Sequence, residues 1–219
     1  MLWKGRRESS NVEDRRGSTT RTVVGGGIGT IVIVAIYLLL GGDPSQVLDN
    51  AQMGTVEGTS TYQPTAEETE LAKFVAVVLA ETEDVWTEIF RKQGLEYTNP
   101  KLVLYSGSVE SACGYSGAAT GPFYCPGDYK VYIDLSFFEE LRQQFKAPGD
   151  FAMAYVIAHE VGHHVQTLTG INEKVMSLQS RLSKEEFNGH LVRLELPADY
   201  LSGVWAHYAN SMNMLEQGE

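Results

Sequence analysis

The sequence predicts an α+β fold, mainly helical with a small β-sheet, preceded by one transmembrane helix. Three observations carry that expectation. Two capping-box patterns, Thr65 to Glu68 and Ser183 to Glu186, each open a stretch with apolar residues at helical spacing. Two short runs, Lys101 to Tyr105 and Lys130 to Leu135, are β-branched or aromatic and bounded by turn residues. Upstream of both, Val23 to Leu40 holds 18 residues without a charged side chain.

Composition narrows the class further. The 219 residues include 17 basic and 28 acidic ones, a net charge of −11, which opposes wrapping a nucleic-acid backbone. An apolar content of 43% excludes wholesale disorder and fits one compact domain. Two cysteines are too few for a disulfide-built scaffold or a four-cysteine zinc site. No tandem repeat suggests a solenoid.

Taken in order, residues 1–21 read as a basic tail, with Lys4, Arg6, Arg7, Arg15, Arg16 and Arg21 against Glu8, Glu13 and Asp14. Residues 22–42 read as a membrane anchor. An apolar helix of about 18–20 residues just spans a hydrocarbon core of roughly 30 Å. A cleaved signal is the weaker reading. The run exceeds the usual apolar length of about 7–15 residues, and the exit from Leu38 to Asp43 lacks small residues at the cleavage spacing. Basic residues before the span and Asp43 and Asp49 after it orient the amino terminus to the cytoplasm. The domain is then expected on the periplasmic or extracellular side of a bacterial cytoplasmic membrane. Residues 43–64, rich in small and polar side chains without apolar periodicity, read as a flexible linker.

Residues 65–219 hold the domain. Thr65 caps a helix whose Leu71, Phe74, Val78, Val85, Trp86 and Ile89 recur at helical spacing until Gly94. Between the two expected strands lies a loop rich in Gly, Ser and Pro that carries Cys113 and Cys125. In an oxidising compartment these two pair naturally, closing a loop worth roughly 3 kcal/mol in the chain-entropy model. Ser136 to Glu139 is a further capping box, opening a short helix to about Phe145. Pro148 and Gly149 break it, and Asp150 is placed to cap a new helix.

That helix, from about Phe151 to Leu168, contains His159-Glu160-Val161-Gly162-His163, an HExxH motif. Residues four apart share a helix face, so both imidazoles can meet one metal ion. Glu160 then sits where it can take a proton from water. His164 lies around the helix from the pair and is expected on the outer surface. A zinc hydrolase needs a third protein ligand. On the long helical pattern from Ser183 to Ala209, Glu195 and Asp199 are four apart. One carboxylate can ligate while the other orients a ligand histidine. His190, His207 and Asp199 itself compete with Glu195 as third ligand.

With these residues in view, the chain resembles the bacterial putative neutral zinc metallopeptidase family of membrane-anchored proteins. The likeness covers the anchor, the SACGYSGAATGPFYCPGDYKVYID stretch, AHEVGHHVQ and ELPADYLSGVWAHY. It implies a zincin-like, gluzincin-like metallopeptidase domain. It further implies one Zn2+ ion at His159, His163 and Glu195, Glu160 as catalytic base and Asp199 behind a ligand. Two departures stand out: Pro197 and Tyr200 replace the expected Gln and Cys, and relatives continue for another helical segment.

The expected activity is hydrolysis of a protein or peptide substrate. His207, Tyr200 and Tyr155 are candidates to stabilise the oxyanion, with His207 the preferred catalytic partner of Glu160. Strand 130–135 is a candidate edge for an extended substrate. The alternative is a catalytically inactive metal-binding scaffold or interaction protein on the same membrane.

Overall fold

The computed structural model describes residues 1–17, 62–117, 120–143 and 149–216. The expected anchor over 22–42 and all but the last residues of the expected linker lie outside these. Among the described residues, no helix is long and apolar enough to cross a membrane.

Helix α1 (Ala66–Lys92) starts where the capping box places it. Thr65 Oγ1 accepts from the Glu68 N–H at 3.1 Å, and the Glu68 carboxylate accepts from the Thr65 N–H at 2.7 Å. Gly94 stops it with a φ of 72°, a left-handed conformation that costs glycine little. Strands β2 (Lys101–Tyr105) and β6 (Lys130–Asp134) pair in parallel, with Leu102 opposite Val131 and Leu104 opposite Ile133. Because side chains alternate along a strand, these four enter the main core with Phe74, Val78 and Trp86 of α1. Val103, Tyr105 and Tyr132 instead fill a smaller cluster on the opposite face.

The loop expected between the two strands holds three more. β3 (Ser108–Ser111) and β4 (Gly114–Gly117) form an antiparallel hairpin. β5 (Phe123–Cys125) runs antiparallel to β6. The disulfide Cys113–Cys125 ties the hairpin turn to β5. Strand order is β1-β2-β6-β5, so the expectation that strand 130–135 offers a free edge is corrected. It is paired on both sides, and β5 holds the edge among the described residues.

β1 (Val12–Asp14) lies parallel to β2, with Val12 opposite Leu102. The expected basic tail of residues 1–21 is therefore, through residue 17, part of the folded unit. Its backbone completes the sheet, and its arginines meet acidic side chains of α1.

Beyond the sheet come α2 (Ser136–Gln143), α3 (Asp150–Leu168), α4 (Ile171–Met176) and α5 (Lys184–Ser211). In α3 the cap position falls to Gly149, and Asp150 is the first helical residue. Met153, Ile157, Val161 and Val165 bury one face of α3 in the main core. α5 opens with the expected Ser183–Glu186 box and continues through Pro197. That proline supplies no N–H to the carbonyl one turn back.

Candidate metal centre

Helices α3 and α5 meet where both carry small residues. A Cβ on Gly162 would stand 3.0 Å from the carbonyl oxygen of Ala198 and 3.2 Å from its Cα. Only glycine in the fourth place of the HExxH motif permits that approach. It brings Glu195 over the paired histidines. Glu195 Oε2 lies 3.2 Å from His159 Nε2 and 3.4 Å from His163 Nε2. One ligand atom from each of the three residues falls within 4.8 Å of the others.

The outer nitrogens of both rings are engaged. His159 Nδ1 faces Asp199 Oδ1 at 3.0 Å, and His163 Nδ1 faces Gln166 Oε1 at 3.0 Å. Both partners are acceptors and favour the tautomer in which each Nδ1 donates outward and each Nε2 is left to ligate. In that tautomer two lone pairs and a carboxylate oxygen converge. A cation satisfies that arrangement. The two carboxylate–imidazole distances are close to the roughly 3.4 Å edge of a tetrahedron with bonds of about 2.0–2.1 Å, and the group as a whole lies within 4.8 Å.

Gln166 has a second task. Its Nε2 donates to the Leu194 carbonyl at 2.6 Å, tying the partner of His163 to the residue before Glu195. Sequence reasoning missed Gln166, although its three-residue offset from His163 places it on the same helix face. On the other ring, Tyr155 Oη donates to Asp199 Oδ1 at 3.0 Å. Tyr155 therefore serves the carboxylate behind His159.

Glu160 is buried, and desolvation pushes its pKa above the ordinary carboxylate value. His163, His159 and the Tyr124 backbone N–H pull it the other way, while Glu195 adds to the rise. Tyr124 belongs to β5, so the sheet edge runs beside this carboxylate. His164 secures that edge. Its Nε2 donates to the Thr98 carbonyl at 2.7 Å, and its Nδ1 accepts from Tyr124 Oη at 3.0 Å. The expectation of a surface His164 is corrected: the ring is fully buried against the edges of Tyr97, Tyr124 and Tyr129. Burial holds its pKa below the ordinary histidine value, against the pull of Thr98.

Two clefts meet at this point. One, of about 420 Å³, is lined by Phe123, Tyr124, His159, Glu160, His163 and Glu195, among others. The second, of about 320 Å³, shares His159 and Glu160 and adds Pro122, Phe137, Tyr155 and Val156.

The other candidates stand apart. His207 is exposed and packs edge-on against Tyr208. It is twelve positions beyond Glu195 on the same helix, roughly 18 Å at 1.5 Å per residue. The expectation that it joins Glu160 is corrected on that distance. His190 lies outside the convergent group, and Tyr200 is exposed.

Known proteins resemble this chain in sequence. The family model described as "Putative neutral zinc metallopeptidase" matches residues 1–219. The chain is 44% identical to "Uncharacterized protein YpfJ" of Escherichia coli K12 over 229 residues, covering all of this chain and 79% of that protein. It is 34% identical to "Uncharacterized protein Mb2605" of Mycobacterium bovis over 185 residues, covering 83% of this chain and 61% of that protein. "Uncharacterized protein Rv2575" of Mycobacterium tuberculosis matches to the same extent. No solved structure gives a significant match. The chain belongs to the putative neutral zinc metallopeptidase family.

Proposed function

We propose that this member of the family hydrolyses peptide bonds in protein or peptide substrates, with one zinc ion held by His159, His163 and Glu195. The observation that supports it is the convergence of three acceptor atoms beside a buried carboxylate. When bound, zinc polarises the scissile carbonyl and lowers the pKa of the attacking water. Glu160 accepts the water proton and delivers it to the departing amine. Asp199 and Gln166 hold the two rings with their Nε2 atoms turned inward. An extended peptide can lie along the outer edge of β5, where the Tyr124 N–H already engages Glu160. Its side chains then enter the two clefts on either side of Glu160.

The test compares wild type with Glu160→Gln, both zinc-loaded, on a generic unfolded protein. Cleavage is expected to fall by about 10²–10⁴-fold, the usual contribution of a general base, with zinc content unchanged. Equal cleavage at equal zinc content ends the hydrolase reading and leaves the centre as a metal-binding scaffold.

A further inference from the structure

The amino-terminal arm is held by far more than its three-residue strand. Arg6 Nη1 donates to Glu81 Oε1 at 3.0 Å, and Arg7 Nη1 donates to Glu83 Oε2 at 3.2 Å. Ser9 Oγ and Asn11 Nδ2 both donate to Glu83 Oε1, at 2.6 and 2.8 Å. Glu81 and Glu83 are 7% and 4% exposed, so α1 carries two carboxylates on a face that the arm covers. Buried carboxylates are costly unless donors reach them, and here the arm supplies the donors.

The arm also spans the helices that bear the metal-centre residues. Trp3 Nε1 donates to Asp150 Oδ2, at the start of α3. Arg6 Nη2 and the Leu2 N–H donate to the Met212 and Met214 carbonyls, just past α5. Finally, the Leu102 N–H of β2 donates to the Asn11 carbonyl, and the Arg15 N–H to that of Leu104.

We propose that residues 1–16 are a built-in strap of the metal-binding domain and share its compartment. The uncharged run from Val23 to Leu40 then does not set a membrane between them. The physical ground is plain: a strand and its ladder partner cannot lie on opposite faces of a bilayer. A chain crossing once between Gly17 and Tyr62 would leave Glu81 and Glu83 without Arg6, Arg7, Ser9 and Asn11. This replaces the expected topology of an inside tail and an outside domain, and it does not depend on peptidase activity.

The experiment uses the full chain expressed in bacterial cells. Glu8→Cys and Glu173→Cys are prepared separately, since both positions are exposed. A membrane-impermeant maleimide is applied to intact and lysed spheroplasts without reductant. Both positions are expected to label together, either before lysis or only after it. Labelling of one in intact spheroplasts and of the other only after lysis overturns the proposal. A photo-crosslinking residue in place of Ser10 then reports the partner. A crosslink to α1 within a single chain is the expected result. Crosslinks formed only between two chains, or none to α1, overturn the strap.

Discussion

Carboxylates are gathered at two places in this domain and answered by opposite means. On α1, Glu81 and Glu83 meet guanidinium, hydroxyl and amide donors from residues 6–11. At the α3–α5 junction, Glu195 meets the Nε2 atoms of two imidazoles whose Nδ1 atoms face away, toward Asp199 and Gln166. The first cluster is complete within the chain. The second brings a carboxylate oxygen and two imidazole nitrogens together as a group that could hold a cation. A chain that closes one charge cluster with its own donors and gathers ligand atoms at the other separates a structural element from a candidate ligand site.

The largest effect expected from that contrast comes from Glu195→Ala. Loss of a direct ligand should weaken zinc binding by more than about 100-fold, beyond the cost of disturbing an outer partner. The metal-free variant should differ from wild type by no more than about 1 kcal/mol, because Glu195 is exposed and its contacts with the two rings are screened by solvent. Chelator competition and metal-free thermal melts measure the two. A variant that keeps its zinc breaks the comparison, since the open cluster would then not depend on its carboxylate.

Next comes Gln166→Ala, which frees His163 Nδ1 and the Leu194 carbonyl together. Zinc affinity should drop by about 10–100-fold, as for other residues that orient a metal-binding histidine. Affinity within about twofold of wild type would mean that the helix alone orients His163.

The two regions also differ in how far the sequence discloses them. His159, His163, Glu195 and Asp199 are readable because four-residue spacing on a helix is a local rule. Gln166 obeys a similar rule, but a glutamine suggests no chemistry until its neighbour's ring orientation is known. His164 and His207 escape for longer-range reasons. What covers the far face of α3 depends on β5 and Thr98, and a long helix carries His207 away from the site. The strap is less legible still. Val12-Glu13-Asp14 has no strand pattern, and its partner β2 lies far along the chain. Arginines in residues 1–21 are visible as charge, yet nothing local distinguishes a solvated tail from one seated on buried glutamates. β5, three residues long, is beneath the length at which alternation can be recognised.

Arg7→Ala probes the closed cluster. It removes donors to Glu83, Asp84 and the Ala80 carbonyl, leaving Glu83 to Ser9 and Asn11. Unfolding free energy should fall by about 1–3 kcal/mol, the range for a buried acceptor losing a charged donor. Zinc affinity should hold, which urea titration beside chelator competition would establish. A fall in both would join two regions that the comparison separates.

The smallest effect concerns acid. Burial pushes the Glu13 carboxylate up, but Arg15, Lys130 and Lys101 outweigh it and hold the pKa at about 2, against an ordinary 4.5. A depressed carboxylate adds stability above its unfolded pKa and loses it as pH falls through the folded one. The contribution of the Glu13 ion pairs should therefore be whole above pH 4.5 and fade toward pH 2. In Glu13→Gln the difference from wild type should shrink over the same window. With Glu13 partly exposed, the difference should stay within about 1 kcal/mol. Urea midpoints of both proteins across that range decide it. A gap that persists unchanged at pH 2 would mean that Glu13 acts through packing and not through charge. The strap would then be held at its sheet end by backbone pairing, and its ionic grip would be confined to α1.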